Sequence, residues 1–223
     1  MNLFRNIVYV LSDQTNASSP SLIRAIALAK SNQADLTLLR VLPDVSPFFK
    51  SNKVSISEQD LRNKVLEKES LNLQRITSTL KVEFNVMTEQ VTGKRYIEII
   101  RLVQSKGYDL VIKEADDIDW LDHLLGRDDM HLLRKCPCPI WLMKQDEKLE
   151  YKQIIAAVDL EDSIENFNKE LNFTILKCAS SLSLSEFTAL RVVNIYDVPL
   201  AGFISQWVDQ PEQTKKNYMT QSI

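Results

Sequence analysis

Ile7-Val-Tyr-Val-Leu11 is a continuous apolar run with no polar residue at alternate positions. A strand without a polar face has to be covered on both faces, and such strands belong to parallel sheets whose crossovers lay helices above and below. The pattern recurs along the chain. Leu36 to Leu42 (LTLLRVL), Asp109-Leu-Val-Ile112 and Pro139-Ile-Trp-Leu-Met143 read as further buried strands, and Val82, Phe84 and Val86 alternate as another. Between them the period becomes helical. Pro20 suits a first helical turn, and Leu22, Ile26 and Ala29 follow at helical spacing. Ser57 and Asp60 form a capping box ahead of the stripe Leu61, Val65, Leu73, Ile76 and Leu80. Tyr96 to Ser105 carries Ile97, Ile100 and Val103 on one face, with Gly107 where a C-terminal cap belongs. Residues 128–135 read as a short helix. Five alternations of strand and helix predict an open, parallel five-stranded α/β sheet with helices on both faces.

Glycine narrows what such a sheet can bind. The chain holds only Gly93, Gly107, Gly126 and Gly202, where a usage of ~7% would give about sixteen. Phosphate cradles of the Walker or Rossmann type need several glycines close together, because the backbone must approach the ligand with positive φ. No two of these four are near neighbours, so both cradles are excluded. Lys+Arg 27 against Asp+Glu 30, a net charge of −3, excludes a broad basic surface for nucleic acid. Three cysteines are an odd number without the spacing of a disulfide framework. The apolar run near the N-terminus is too short for a signal-peptide core, and no stretch approaches the ~18 apolar residues of a membrane span. These features read as a cytoplasmic protein.

The chain repeats itself. Residues 145–152 (QDEKLEYK) are charged and linker-like, and Ile154-Ile-Ala-Ala-Val-Asp159 then matches Ile7 to Ser12. Leu190-Arg191-Val192 matches Leu39-Arg40-Val41. Strand, loop, helix and strand recur in order, so the reading is one whole domain over residues 1–146 and a partial second copy over 153–223.

Leu124-Leu-Gly-Arg-Asp-Asp-Met-His-Leu-Leu-Arg-Lys-Cys-Pro-Cys-Pro139, followed by Ile-Trp-Leu-Met, resembles the end of a domain in the universal stress protein family. There a glycine-serine step, a short helix and an R-x-x-P-C-P turn lead into the last strand. Val91-Thr-Gly93 before a helix and Gly107-Tyr-Asp109-Leu-Val-Ile fit the family's middle section. The resemblance covers 5–144 as a domain and 153–223 as roughly half of one, and two tandem copies look most like the E-type branch. It implies a doubly wound sheet of strand order 3-2-1-4-5 and a part in surviving stress. In such sheets ligands bind at the switch point between strands 1 and 4, a crevice that Ser12, Asp13, Val41, Gly126, Arg127 and the 113–119 loop would frame.

The same resemblance marks what is missing. ATP-binding members carry G-x-x-G-x(9)-G-[S/T] after the fourth strand. Aligned on Gly126, this chain has Lys113, Asp116 and Arg127 at the other three positions. Residues 113–129 hold seven carboxylates (Glu114, Asp116, Asp117, Asp119, Asp122, Asp128 and Asp129) against Lys113 and Arg127, a balance that opposes a triphosphate. Ser12 replaces the aspartate that reads adenine in the family. In the second copy Asp159 stands at that position, either as half of a nucleotide site or as a cap of the loop after its strand.

Other constellations are weaker. Cys136-Pro-Cys138 supplies two thiolates where a closed zinc site needs four ligands, and reads as a turn between prolines. His123 near Asp119 and Asp122 is read as solvated rather than metal-bound, and Trp120 either plugs the crevice or recognises a partner. No nucleophile elbow or triad is present. The expectation is a non-enzymatic stress-response protein that binds a partner or small ligand without a cofactor. The alternative is an ATP-binding sensor with at most slow hydrolysis. The apolar run Pro139–Met143 at the sheet edge is expected to pair with a second copy in a homodimer.

Overall fold

The computed structural model describes residues 3–46, 57–80, 86–116, 127–144, 150–159 and 167–194. The chain divides into two compact units after Tyr151. In the first, β1 (Asn6–Val10), α1 (Pro20–Asn32), β2 (Asp35–Leu42), α2 (Glu58–Thr79), β3 (Val86–Thr92), α3 (Arg95–Lys106), β4 (Leu110–Glu114), α4 (Arg127–Lys135) and β5 (Ile140–Met143) follow in order. The strands form one sheet, β3-β2-β1-β4-β5, parallel throughout. This is the doubly wound order expected from the sequence.

The central position of β1 explains why it is apolar throughout. It pairs with β2 on one side (Val8 with Thr37) and with β4 on the other (Val8 with Val111). Ile7, Val8, Tyr9 and Val10 are all buried. Val8, Val10, Leu39, Val41 and Val111 form one core with Ile99 and Val103 of α3 and Leu132 of α4. The opposite face carries Tyr9, whose hydroxyl meets Ser21 of α1 at 2.7 Å. Asp109 ties the start of the two central strands together, its carboxylate accepting the backbone N–H of Arg5 at 2.7 Å and of Asn6 at 3.2 Å.

The helix ends follow their sequence signals. Ser57 Oγ accepts the Asp60 N–H at 3.1 Å, and Gly107, at φ 67°, closes α3 in the left-handed region that glycine enters without strain. The third strand is described over Val86–Thr92; Val86 belongs to it, and Val82 and Phe84 lie outside the described residues. Among the described residues β3 is an edge strand, paired to β2 alone and largely half-buried or exposed. Met-Thr-Glu-Gln satisfies such a strand without the apolar pattern that a buried one requires.

The second unit contains β6 (Gln153–Val158), α5 (Phe167–Ser185) and β7 (Ala189–Asn194). β6 and β7 pair in parallel, from Gln153 with Ala189 to Val158 with Asn194. The β–α–β order is that of β1, α1 and β2. Its two strands form their own sheet.

Candidate functional site

β1 and β4 are neighbours whose crossovers run to opposite sides, so the crevice of a doubly wound sheet opens beyond their carboxyl ends. Lys113 and Glu114 end β4 there. Successive strand residues face opposite sides, so these two charges enter different layers. Both are almost fully buried, and each is compensated within its own layer.

Glu114 faces α1 and is surrounded by hydroxyls. Ser21 donates to its Oε1 at 2.5 Å and Ser12 to its Oε2 at 2.7 Å. Thr15 Oγ1 stands 3.5 Å from Oε2 and 2.8 Å from Ser12 Oγ, and also accepts the Ser12 backbone N–H at 2.9 Å. With the Ser21 proton directed to Glu114, the Tyr9 hydroxyl donates to Ser21. Burial, with the Glu114 charge adding to it, pushes the Tyr9 phenol up to about 12.

Lys113 faces α4. Its ammonium pairs with Asp116 at 2.9 Å and more closely with Asp129, whose carboxylate is completely buried. Asp129 also accepts the Asp116 backbone N–H at 2.8 Å, and Arg95 reaches Asp116 at 3.0 Å. Asp129 lies in the first turn of α4, where the helix dipole favours an anion. A helix N-terminus at this point of an α/β sheet can receive a ligand's phosphate. Here the chain's own carboxylate stands by that end.

The remaining predicted positions separate. Asp13 follows Ser12 and pairs with Arg40 of β2, a buried guanidinium that also donates to the Leu11 carbonyl at 3.3 Å and meets Glu69 at 2.9 Å. Val41 belongs to the core on the α3 and α4 side. Gly126 lies outside the described residues, as do Trp120 and His123, and the side chain of Arg127 at the start of α4 does so too. Asp159 is in the second unit, where Asn172 accepts its backbone N–H at 3.0 Å and donates back to its carbonyl. The structure thus joins Ser12 to Glu114 and Asp13 to Arg40. Sequence reasoning missed Glu114 as an acceptor, with Thr15, Ser21, Arg40 and Asp129. The signal was available: a charge inside an otherwise apolar buried strand, as in LVIKE and LTLLRVL, requires a partner when it folds.

Among the described residues no group of three or more His, Cys, Asp or Glu side chains is placed to hold a metal ion. The titratable groups at the strand ends are engaged with one another.

The comparisons agree with this architecture. The model of the universal stress protein family matches residues 3–144. Universal stress protein E of Photorhabdus laumondii is 25% identical over 204 residues, covering 87% of this chain and 63% of that protein. Universal stress protein E of Escherichia coli K12 is 36% identical over 104 residues, covering 45% of this chain and 32% of its own length. The chain therefore spans less than two thirds of either relative. A crystal structure from Pseudomonas aeruginosa UCBPP-PA14, described as of a universal stress protein, superposes over 99% of this chain and 70% of its own at a TM-score of 0.62 and 22% identity, a likeness of fold.

Proposed function

The chain belongs to the universal stress protein family, and from that premise we propose that it is a non-enzymatic, cytoplasmic member that acts by binding a partner or small ligand, and that its first unit does not bind ATP. One observation carries the reading: the charged groups at the ends of β1 and β4 are paired within the chain. Lys113, which takes the place of a phosphate-loop glycine, is held by Asp116 and Asp129. Ser12, which takes the place of the adenine-reading aspartate, is spent on Glu114. A triphosphate entering there has to displace buried ion pairs whose members would then be left without compensation. It would also meet the carboxylates of Asp116 and Asp129.

Calorimetric titration with ATP and Mg²⁺ tests this. The expected result is no saturable heat in the micromolar range. Saturable binding there overturns it in favour of an ATP-binding sensor. Activity, substrates and partners of the whole protein are part of the proposal, since the chain spans only part of its relatives.

A further inference from the structure

Cys136 and Cys138 lie in the turn between α4 and β5, away from the charge pairs of the crevice. Cys136 follows the last residue of α4, its N–H bonded to the Leu132 carbonyl at 2.9 Å. The chain bends at Pro137 and Cys138, and β5 begins at Ile140. The bend brings the two sulfurs to 3.6 Å, with both side chains partly exposed.

The two thiols are not equivalent. The Cys138 thiol and the Cys138 backbone N–H both donate to the Cys136 sulfur, which lowers the Cys136 thiol to about 7. Cys138 is pushed up, by the bond it gives to Cys136 and by its burial. Arg134 and Lys135 in the last turn of α4 oppose the unfavourable helix end for an anion at Cys136. The third thiol, Cys178, is pushed up by burial.

We propose that Cys136 and Cys138 form a dithiol redox switch, which a small-molecule disulfide closes into an intrachain Cys136–Cys138 bond. Residues two apart span at most about 7 Å when extended. The bend brings them closer, toward the ~4.4–6.8 Å between Cα atoms that a disulfide accepts. The Cys136 thiolate attacks one sulfur of the external disulfide, forming a mixed disulfide and releasing one small thiolate, which takes up a proton. Cys138 then gives its proton to solvent, and its thiolate attacks the Cys136 sulfur and expels the second small thiol. Two protein thiols lose two electrons and two protons, and the external disulfide becomes two thiols. The consequence is local to β5. Pro139 accepts the Val111 N–H at 3.1 Å, at the start of the β4–β5 ladder, so drawing the sulfurs to bonding distance moves the entry of the edge strand.

The test uses the full chain with oxidised glutathione, followed by alkylation of free thiols and peptide mass spectrometry. Wild type is expected to lose two of its three thiols, retain no glutathione and keep Cys178 free. Cys138→Ser is expected to hold one glutathione on Cys136, because no second thiol is left to expel it. Cys136→Ser, with unchanged circular dichroism, is expected to form no intrachain disulfide and to retain any glutathione taken up at Cys138. Wild type keeping all three thiols overturns the proposal. So does glutathione retained on wild type, or Cys178 reacting as fast as Cys136.

Discussion

At the residue scale the crevice turns on Lys113 and Asp129. Both are buried, so removing Lys113 strands the Asp129 carboxylate in a medium of low dielectric constant. Lys113→Met is expected to cost about 3–5 kcal/mol of unfolding free energy in urea. Asp129→Asn keeps an acceptor for the Asp116 N–H while removing the charge, so Lys113→Met with Asp129→Asn should recover most of that loss. Equal loss in the single and double variants would show that stranded charge is not the cause. Tyr9 gives a second test. An unfolded tyrosine titrates near 10 and the folded one near 12, so burial favours the neutral phenol. Its stabilising contribution is fully present below about pH 10 and is lost as the pH rises through 12, to a total of about 3 kcal/mol. Tyr9→Phe should be flatter than wild type by that amount across this window, as read by denaturant unfolding at successive pH values. These residues were legible in the sequence only as types. Lys113 and Arg40 are visible as charges in buried strands, but the partners that neutralise them, Asp129 and Glu69, lie far along the chain, and spacing alone does not reveal which carboxylate folds onto which cation.

At the scale of elements the strands buried on both faces were legible because burial leaves them one solution. β1, β2 and β4 appear where their apolar runs stand. β3 was legible only at Val86, because an edge strand is free to be polar; Val82 and Phe84 lie outside the described residues. β5 is an edge strand of the opposite kind. Among the described residues it pairs with β4 alone, yet it reads Ile-Trp-Leu-Met, with Ile140, Trp141 and Leu142 only half-buried. An apolar edge of this kind is open to strand pairing. A homodimer through β5 is therefore expected in solution, and Trp141→Lys should dissociate it without unfolding the monomer, since a charge on an edge strand blocks pairing. Sedimentation velocity at tens of micromolar reads both. A wild-type monomer there would remove β5 as the interface.

For the molecule as a whole, the two units differ in how much each can bury. In the first, β1 is flanked on both sides and its residues from Ile7 to Val10 are at most 2% exposed. In the second, β6 is the counterpart of β1 in the repeat, but among the described residues its sheet contains only β7 beside it. Only Ala156 and Val158 of β6 are buried, and Ile155 is 55% exposed, with Phe173 at 60% and Val192 at 54%. Ile-Ile-Ala-Ala-Val is a sequence suited to the middle of a sheet, standing among the described residues with one ladder partner. The two strands and the helix described there recover little apolar burial to offset the entropy of ordering them, so β6 should open at much lower free energy than β1. Native-state hydrogen exchange resolves this strand by strand. Amides of Ile7–Val10 and Leu110–Ile112 should exchange slowly, through global unfolding of their unit. Those of Ile154–Val158 should exchange at least about a hundredfold faster, a gap of ~2.7 kcal/mol in opening free energy. A chain ending at Tyr151 should then retain the slow protection of β1 and β4, because their described ladders are made within the first unit. Equal protection of β1 and β6 in a sample shown to be monomeric would mean that β6 has a second partner within this chain, and the unit would have to be counted as stable in its own right.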